Sequence, residues 1–233
     1  MTEIRLASLQ GEAIVLGSDT IAALRQTLRG NVCLAQEAGY DEARTIWNAM
    51  INRYPGAVVR CRGAADIIHA VRFAREHGLL LAVRGGGHNI AGNAVCEGGL
   101  VIDLSLMRSV RVDPARRTAQ VEPGTTLGEF DKEAQAFGLA TPLGINSTTG
   151  VAGLALGGGF GWLSRKFGLT ADDLISADVV TADGELVQAS ATENSDLFWA
   201  LRGGGGNFGV VSSFEFRLLL SAQWFYPGLS SIP

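Results

Sequence analysis

A mixed α and β fold is predicted by three features of this 233-residue chain. A strand–helix–strand unit occupies residues 57–83, short strands separated by polar or proline-containing turns follow it, and a second helix-bearing unit begins near residue 125. Three glycine-rich segments punctuate these units: Arg84–His88, Gly150–Gly161 and Arg202–Gly209. The chain holds 31 glycines, well above an ordinary share of roughly 7%. Their apolar neighbours exclude both a collagen repeat and a linker. An apolar content of 47% allows a substantial core, in one large domain or in two small lobes.

The elements follow in order. After a weakly patterned start, Ser18 or Asp19 caps a helix that runs to about Leu28, where Gly30 and Asn31 end it. Asp41–Asn52 reads as a second short helix with Ile46, Trp47 and Met50 on its buried face. Pro55-Gly56 breaks the chain before a strand at Ala57–Cys61. Ala64 or Ala65 opens a helix to His77 with an apolar stripe of Ile67, Ile68, Val71 and Phe73, and Gly78 stops it. The apolar strand Leu79–Val83 then delivers the chain into Gly85.

Beyond the first glycine run, Asn89–Gly99 reads as loop. Leu100–Leu104, Ser109–Val112 and Thr118–Val121 read as short strands, the last two joined by an Asp113-Pro114 turn. Leu127–Phe137 is an amphipathic helix with Thr125 or Thr126 as its N-cap and Gly138 as its stop. Part of Val151–Leu156 is expected to be helical, since a long structureless loop is uncommon inside a domain. Leu174–Thr181 and Glu185–Ala189 form a hairpin around Asp183-Gly184. A short helix at Asp196–Leu201 and a strand at Val210–Leu218 follow. Leu219–Pro233 shows no pattern and carries Trp224, Phe225 and Tyr226, so an intact protein is expected to continue further.

Composition removes several function classes. The formal net charge is -4, and Arg116-Arg117 and Arg165-Lys166 are isolated pairs, so no basic stripe suits nucleic acid. Cys33, Cys61 and Cys96 are odd in number and lack CxxC spacing, which fits small core residues better than a disulfide scaffold or a zinc site. No uninterrupted apolar stretch reaches membrane-spanning length and the start does not resemble a signal peptide. A soluble, cytoplasmic protein is expected.

The chemistry is expected at the glycine runs. Glycine lets backbone approach a ligand closely and adopt positive φ, and successive N–H groups facing one concavity suit a pyrophosphate. GGGH followed by loop is not the dinucleotide fingerprint GxGxxG between strand and helix. His69 and His77 lie within and at the end of a helix. His88 instead stands where the glycine loop opens, as a nucleophile toward an activated cofactor carbon, a proton carrier, a hydrogen-bond donor or a loop brace. Trp162 suits the core or a flat ring, and Asp172-Asp173 suits a cap and turn.

The strings VRGGGHNIAGNAV (83–95), VIDLSLMRSVRVDP (101–114), VEPGTTLGEF (121–130), GVAGLALGGGFGWLSRKFGLTADDL (150–174) and LFWALRGGGGNFGVVSSFEFRL (197–218) resemble the FAD-linked oxidases of the p-cresol methylhydroxylase and vanillyl-alcohol oxidase superfamily, in its berberine-bridge-enzyme-like branch. The resemblance implies an α+β, two-lobed PCMH-type FAD-binding domain with the substrate domain largely missing. Residues 1–54 would be an N-terminal helical segment, 55–218 the FAD-binding domain proper and 219–233 an atypical tail.

The same resemblance implies FAD attached covalently through His88. Backbone groups of Arg84, Gly85, Gly86, Gly87, His88 and Asn89 would hold the pyrophosphate. Gly150, Gly153, Gly158 and Gly161 would lie near the remaining cofactor surface, and Gly209 and Val210 near the adenine or ribityl side. Relatives with a second flavin link carry a cysteine where Asn146 stands, so a single attachment is expected. The implied activity is oxidation of an alcohol, sugar or secondary-metabolite substrate by hydride transfer, with dioxygen as acceptor and no catalytic base assigned. The alternative is a non-catalytic or NADPH-linked FAD-binding fragment of the same fold.

Overall fold

The computed structural model describes residues 3–220. Its first half contains β1 (Glu3–Ala7), β2 (Ala13–Gly17), α1 (Ser18–Thr27), β3 (Asn31–Leu34), α2 (Tyr40–Arg44), β4 (Ala57–Arg60), α3 (Ala64–Glu76), β5 (Leu81–Arg84) and β6 (Leu100–Asp103). The second half contains β7 (Val110–Asp113), β8 (Thr118–Val121), α4 (Leu127–Gln135), β9 (Leu139–Ala140), α5 (Val151–Leu156), α6 (Ser164–Phe167), β10 (Leu174–Val180), β11 (Leu186–Ser190), α7 (Ser195–Leu201), β12 (Val210–Arg217) and β13 (Leu219–Leu220).

Two principal sheets divide these elements. The first has the order β3-β4-β6-β5, in which β6 lies parallel to both β4 and β5 while β3 is antiparallel to β4. The strand–helix–strand unit read from the sequence is therefore real, but β6 inserts between its two strands. Residues of β4 and β6 are buried in succession because both faces are covered. Ala57, Val59, Leu100 and Ile102 share one core with Ile67, Ala70, Phe73 and Ala74 of α3. Val58 and Val101 point the other way, into a cluster with Tyr40, Ala43, Ile46 and Val95.

The second sheet, β11-β10-β12-β8-β7, is antiparallel throughout. Phe214 and Phe216 of β12 meet Phe130 and Ala134 of α4 and Val151 and Ala155 of α5 in its core. α4 starts at a capping box in which the Thr126 amide donates to Glu129 Oε2 at 2.9 Å, and Gly138 follows it with φ +67. Val180 and Val210 of this sheet join the α3-side core of the first, so the two halves share apolar surface. Cys33, Cys61 and Cys96 are all free and buried.

Several expectations need correction. The helix expected over Asp41–Asn52 is only the five-residue α2. Ile46 is buried, but Trp47 is 55% and Met50 91% exposed, because the Trp47 amide leaves helical bonding to donate to Gly87 O at 3.2 Å. Residues 1–54 are not simply helical: β1 and β2 form an antiparallel hairpin, and β3 adds an edge to the first sheet. β3 is short and begins at Asn31, in the Gly30-Asn31 pair that reads as a helix stop. Trp162 lies outside the core, 79% exposed. Trp224, Phe225 and Tyr226 lie outside the described residues.

Two contacts fix how the first glycine run leaves β5. Asp103, fully buried at the end of β6, accepts from Arg84 Nε at 3.0 Å and Nη2 at 2.7 Å. A third Arg84 nitrogen, Nη1, donates to Thr45 O at 2.9 Å. Further on, Gly86 lies against Gly150 backbone to backbone. A Cβ on Gly86 would stand 2.5 Å from Gly150 Cα, and one on Gly150 would stand 2.6 Å from Gly86 Cα.

Asp103→Ala strands a buried guanidinium and is expected to cost about 3–5 kcal/mol in chemical denaturation. Gly150→Ala forces two main chains apart at a site with no side chain to yield. Its expected cost is about 1–3 kcal/mol, and an unchanged denaturation midpoint would show that the crossing is not tight in solution.

Candidate functional site: a glycine cradle beside His88

β5 ends its ladder when the Leu104 amide donates to Arg84 O at 2.8 Å. From that point the amides of residues 85–89 donate to no acceptor among the described residues. Gly87 has φ +70, a left-handed backbone suited to glycine. Meanwhile two of the loop carbonyls are occupied: Gly87 O accepts from Trp47, and Asn89 O accepts from the Gly92 amide at 3.0 Å. A half-buried loop with consecutive N–H groups unspent can bind an anion.

The second glycine segment lies against this loop. Leu127 and Val151 donate their amides to Thr149 O and Thr125 O, each at 2.9 Å, which lays residues 149–151 beside 125–127. Gly150 then abuts Gly86 on its other side, and that approach sets Thr148 and Thr149 next to His88. Thr148 Oγ1 is 3.1 Å from His88 Nε2, and Thr149 Oγ1 is 3.5 Å from Nδ1. The Trp47 ring stacks on the imidazole with centroids 4.8 Å apart and planes inclined by 21°. Burial of the ring lowers the His88 pKa below the ordinary histidine value, and a hydrogen bond to the Thr148 backbone opposes that shift. Neutral imidazole is thus the favoured form.

The expected site residues separate into groups. Gly85, Gly86, Gly87, His88 and Gly150 converge. The Arg84 side chain is spent on Asp103, which leaves no free guanidinium charge there for a ligand. Asn89 uses Oδ1 to accept from the Asn93 amide at 3.1 Å. Gly153 is exposed with open space where a Cβ would be. Gly158, with φ +98, accepts at its carbonyl from the Ala171 amide at 2.9 Å. Gly161 packs against the Leu143 carbonyl, and Gly209 against Val180 O, 2.6 Å from an added Cβ. The Val210 side chain is buried in the core.

Trp47, Thr148 and Thr149 are site residues that sequence reading missed. The available signal was the position of the two threonines directly before Gly150. Asp172 behaves as the cap expected of it, with Oδ2 accepting from the Leu169 amide at 2.8 Å. Burial pushes the Cys96 thiol up to about 11 and Cys61 higher still, so neither is a ready nucleophile at neutral pH. A cavity of about 510 Å³ lined by Arg116, Arg117, Arg217 and Leu218 draws on none of the glycine segments.

The depressed pKa has a measurable sign. Between the folded and unfolded values the unfolded chain binds more protons at His88, so this residue's contribution to stability falls as pH drops through that window. In an NMR titration the His88 ring is expected to show its midpoint below about 6.5; a midpoint above that value contradicts burial as the dominant influence.

Residues 55–190 match the family described as FAD binding domain. The chain is 41% identical over 192 residues to (R)-6-hydroxynicotine oxidase of Paenarthrobacter nicotinovorans, covering 82% of this chain and 42% of that protein. Crystalline 6-hydroxy-D-nicotine oxidase from Arthrobacter nicotinovorans superposes with a TM-score of 0.81 at 41% identity, over 83% of this chain and 43% of the other. Glucooligosaccharide oxidase from Acremonium strictum, described with a 6-S-cysteinyl, 8α-N1-histidyl FAD, gives 0.81 at 36% identity, over 86% and 42%. The chain therefore spans less than half the length of these relatives. Among the described residues no helix is long and apolar enough to cross a membrane. With its two lobes and its glycine cradle, the chain belongs to the PCMH-type FAD-binding oxidoreductases of the berberine-bridge-enzyme-like superfamily.

Proposed function

We propose that this protein is an FAD-dependent oxidase whose flavin is joined covalently to His88. The observation that carries the reading is the run of unspent amides at residues 85–89, closed by a neutral imidazole. These amides bind the diphosphate of FAD, with Gly150 pressed against Gly86 beside them, and Gly153, Gly158 and Gly161 lie near the remaining cofactor surface. Gly209 and Val210 offer backbone atoms toward the adenine or ribityl side. The bound flavin supplies hydride acceptance from an alcohol, sugar or secondary-metabolite substrate and transfer of the electrons to dioxygen. Trp47 orients the imidazole, and the Gly86–Gly150 crossing holds the two glycine walls together.

The histidyl attachment described for the glucooligosaccharide oxidase supports the same role for His88, the histidine at the mouth of the cradle. A single attachment fits Asn146, whose side chain cannot form a thioether. Three free cysteines fit a reducing compartment such as the cytoplasm.

The purified chain is expected to be yellow and to keep its colour through acid precipitation. His88→Ala is expected to lose all acid-stable flavin while excess FAD still raises Tm. Persistent covalent flavin in that variant would refute the attachment, and bleaching by NADPH of a flavin released on denaturation would favour an NADPH-linked reductase.

A further inference from the structure

We propose that the cavity lined by Arg116, Arg117, Arg217, Phe167 and Ile175 is a second ligand site, which takes a small organic carboxylate with an apolar body. It lies where β7 and β12 end and β8 and β10 begin, and it stands independently of the flavin reading because no glycine segment contributes to it.

In the sequence Arg116-Arg117 and Arg165-Lys166 stand as isolated pairs. The fold brings members of both pairs to one place. Pairing of β12 with β8 sets Arg217 opposite Thr118, and the Leu218 amide donates to Arg117 O at 2.7 Å, which ties the β7–β8 turn to the end of β12. Lys166 adds a cation at the rim, with Nζ 5.0 Å from the centroid of the Phe167 ring. Among the described residues Arg116 has one ion-pair partner, Glu215 at 3.7 Å, and Arg117 and Arg217 have none. The Arg217 charge acts on the buried Asp173 carboxyl without pairing with it. Cations gathered in this way repel one another, so the arrangement opposes stability and favours an anion.

The walls carry two backbone irregularities. Arg117 has φ +52, a left-handed backbone in which asparagine or glycine is the ordinary choice, so the turn keeps a cation there at an energetic cost. In β10 the register shifts between Leu174 and Ser176, and the residue between them is Ile175. A bulge re-aims a side chain, and here it adds an apolar wall beside the polar Ser176 and Glu215. Phe167, Leu219 and Leu220 extend that wall.

The cavity of about 510 Å³ has the size of a small-molecule site, roughly 300–1,000 Å³, and the usual makeup of apolar lining with a few convergent polar groups. An arginine fork matches a planar carboxylate with two parallel hydrogen bonds. Glu215 and Asp173 stand close by, so a single negative charge meets less repulsion than the two of a phosphate monoester.

The test titrates the full chain with decanoate by calorimetry, using decanol and decyl phosphate as the neutral and dianionic counterparts. Decanoate is expected to saturate one site, and each counterpart to bind roughly 10-fold more weakly or worse, the effect of losing one charge-assisted contact. The double variant Arg117→Gln, Arg217→Gln changes two exposed side chains and is expected to keep its denaturation midpoint while decanoate binding weakens by roughly 10–100-fold. His88→Ala is expected to bind decanoate as the unaltered chain does. Absence of saturable binding, equal affinity for decanol, or unchanged binding by the folded double variant overturns the site. Tighter binding of decyl phosphate overturns the carboxylate assignment, and loss of decanoate binding in His88→Ala overturns the location by placing the molecule at the glycine cradle.

Discussion

Where Gly86 crosses Gly150, two main chains come closer than any side chain would allow. One belongs to the loop leaving the parallel sheet, the other to the segment entering α5 above the antiparallel sheet, so a single contact ties the two lobes together at the site. It also determines the neighbours of His88. With the backbones pressed together, the residues just before Gly150 lie beside those just after Gly86, and the imidazole meets Thr148 and Thr149 without any longer-range device. A side chain on either glycine would separate the lobes at the point where they must share a ligand.

Charge is handled in the same economical way. Arg84 stands at the head of the glycine run, where a cation beside an anionic cofactor is the simplest expectation. The structure turns its guanidinium inward, to a bidentate pair with the fully buried Asp103 and a bond to Thr45 O. That pair pins the end of β5 to the end of β6, and Arg60 Nε at the end of β4 also lies 3.3 Å from Asp103 Oδ2. At the loop itself the attraction for an anion comes from peptide dipoles, which are fixed in direction by the loop and carry no side-chain entropy.

Much of this architecture was legible in the sequence, for physical reasons. Continuous apolar stretches such as Leu100–Ile102 announce a strand covered on both faces, and α3 and α4 have apolar stripes with clear stops at Gly78 and Gly138. The glycine runs also announced themselves, since so many positions without side chains are hard to explain by packing alone. The β1–β2 hairpin and β3 were hidden because their stability comes from pairing and tertiary cover, which short edge strands do not advertise. Trp47 was misread for a related reason. Helical spacing put it on a buried face, but its amide is captured by Gly87 O and its ring by His88, partners forty residues away.

Position 146 shows how a site residue can be legible in identity and still hidden in role. Read against the family pattern, asparagine there is an absence, the lack of a sulfur for a second flavin bond. In the structure the same side chain accepts from both the amide and the hydroxyl of Thr148, and that hydroxyl lies 3.1 Å from His88 Nε2. Cysteine would be a poor substitute in this role, because a thiol accepts hydrogen bonds weakly and could not hold the hydroxyl proton as firmly. The carboxamide that cannot form a thioether thus also braces the threonine beside the imidazole, and only the three-dimensional approach of Thr148 to His88 reveals that second role.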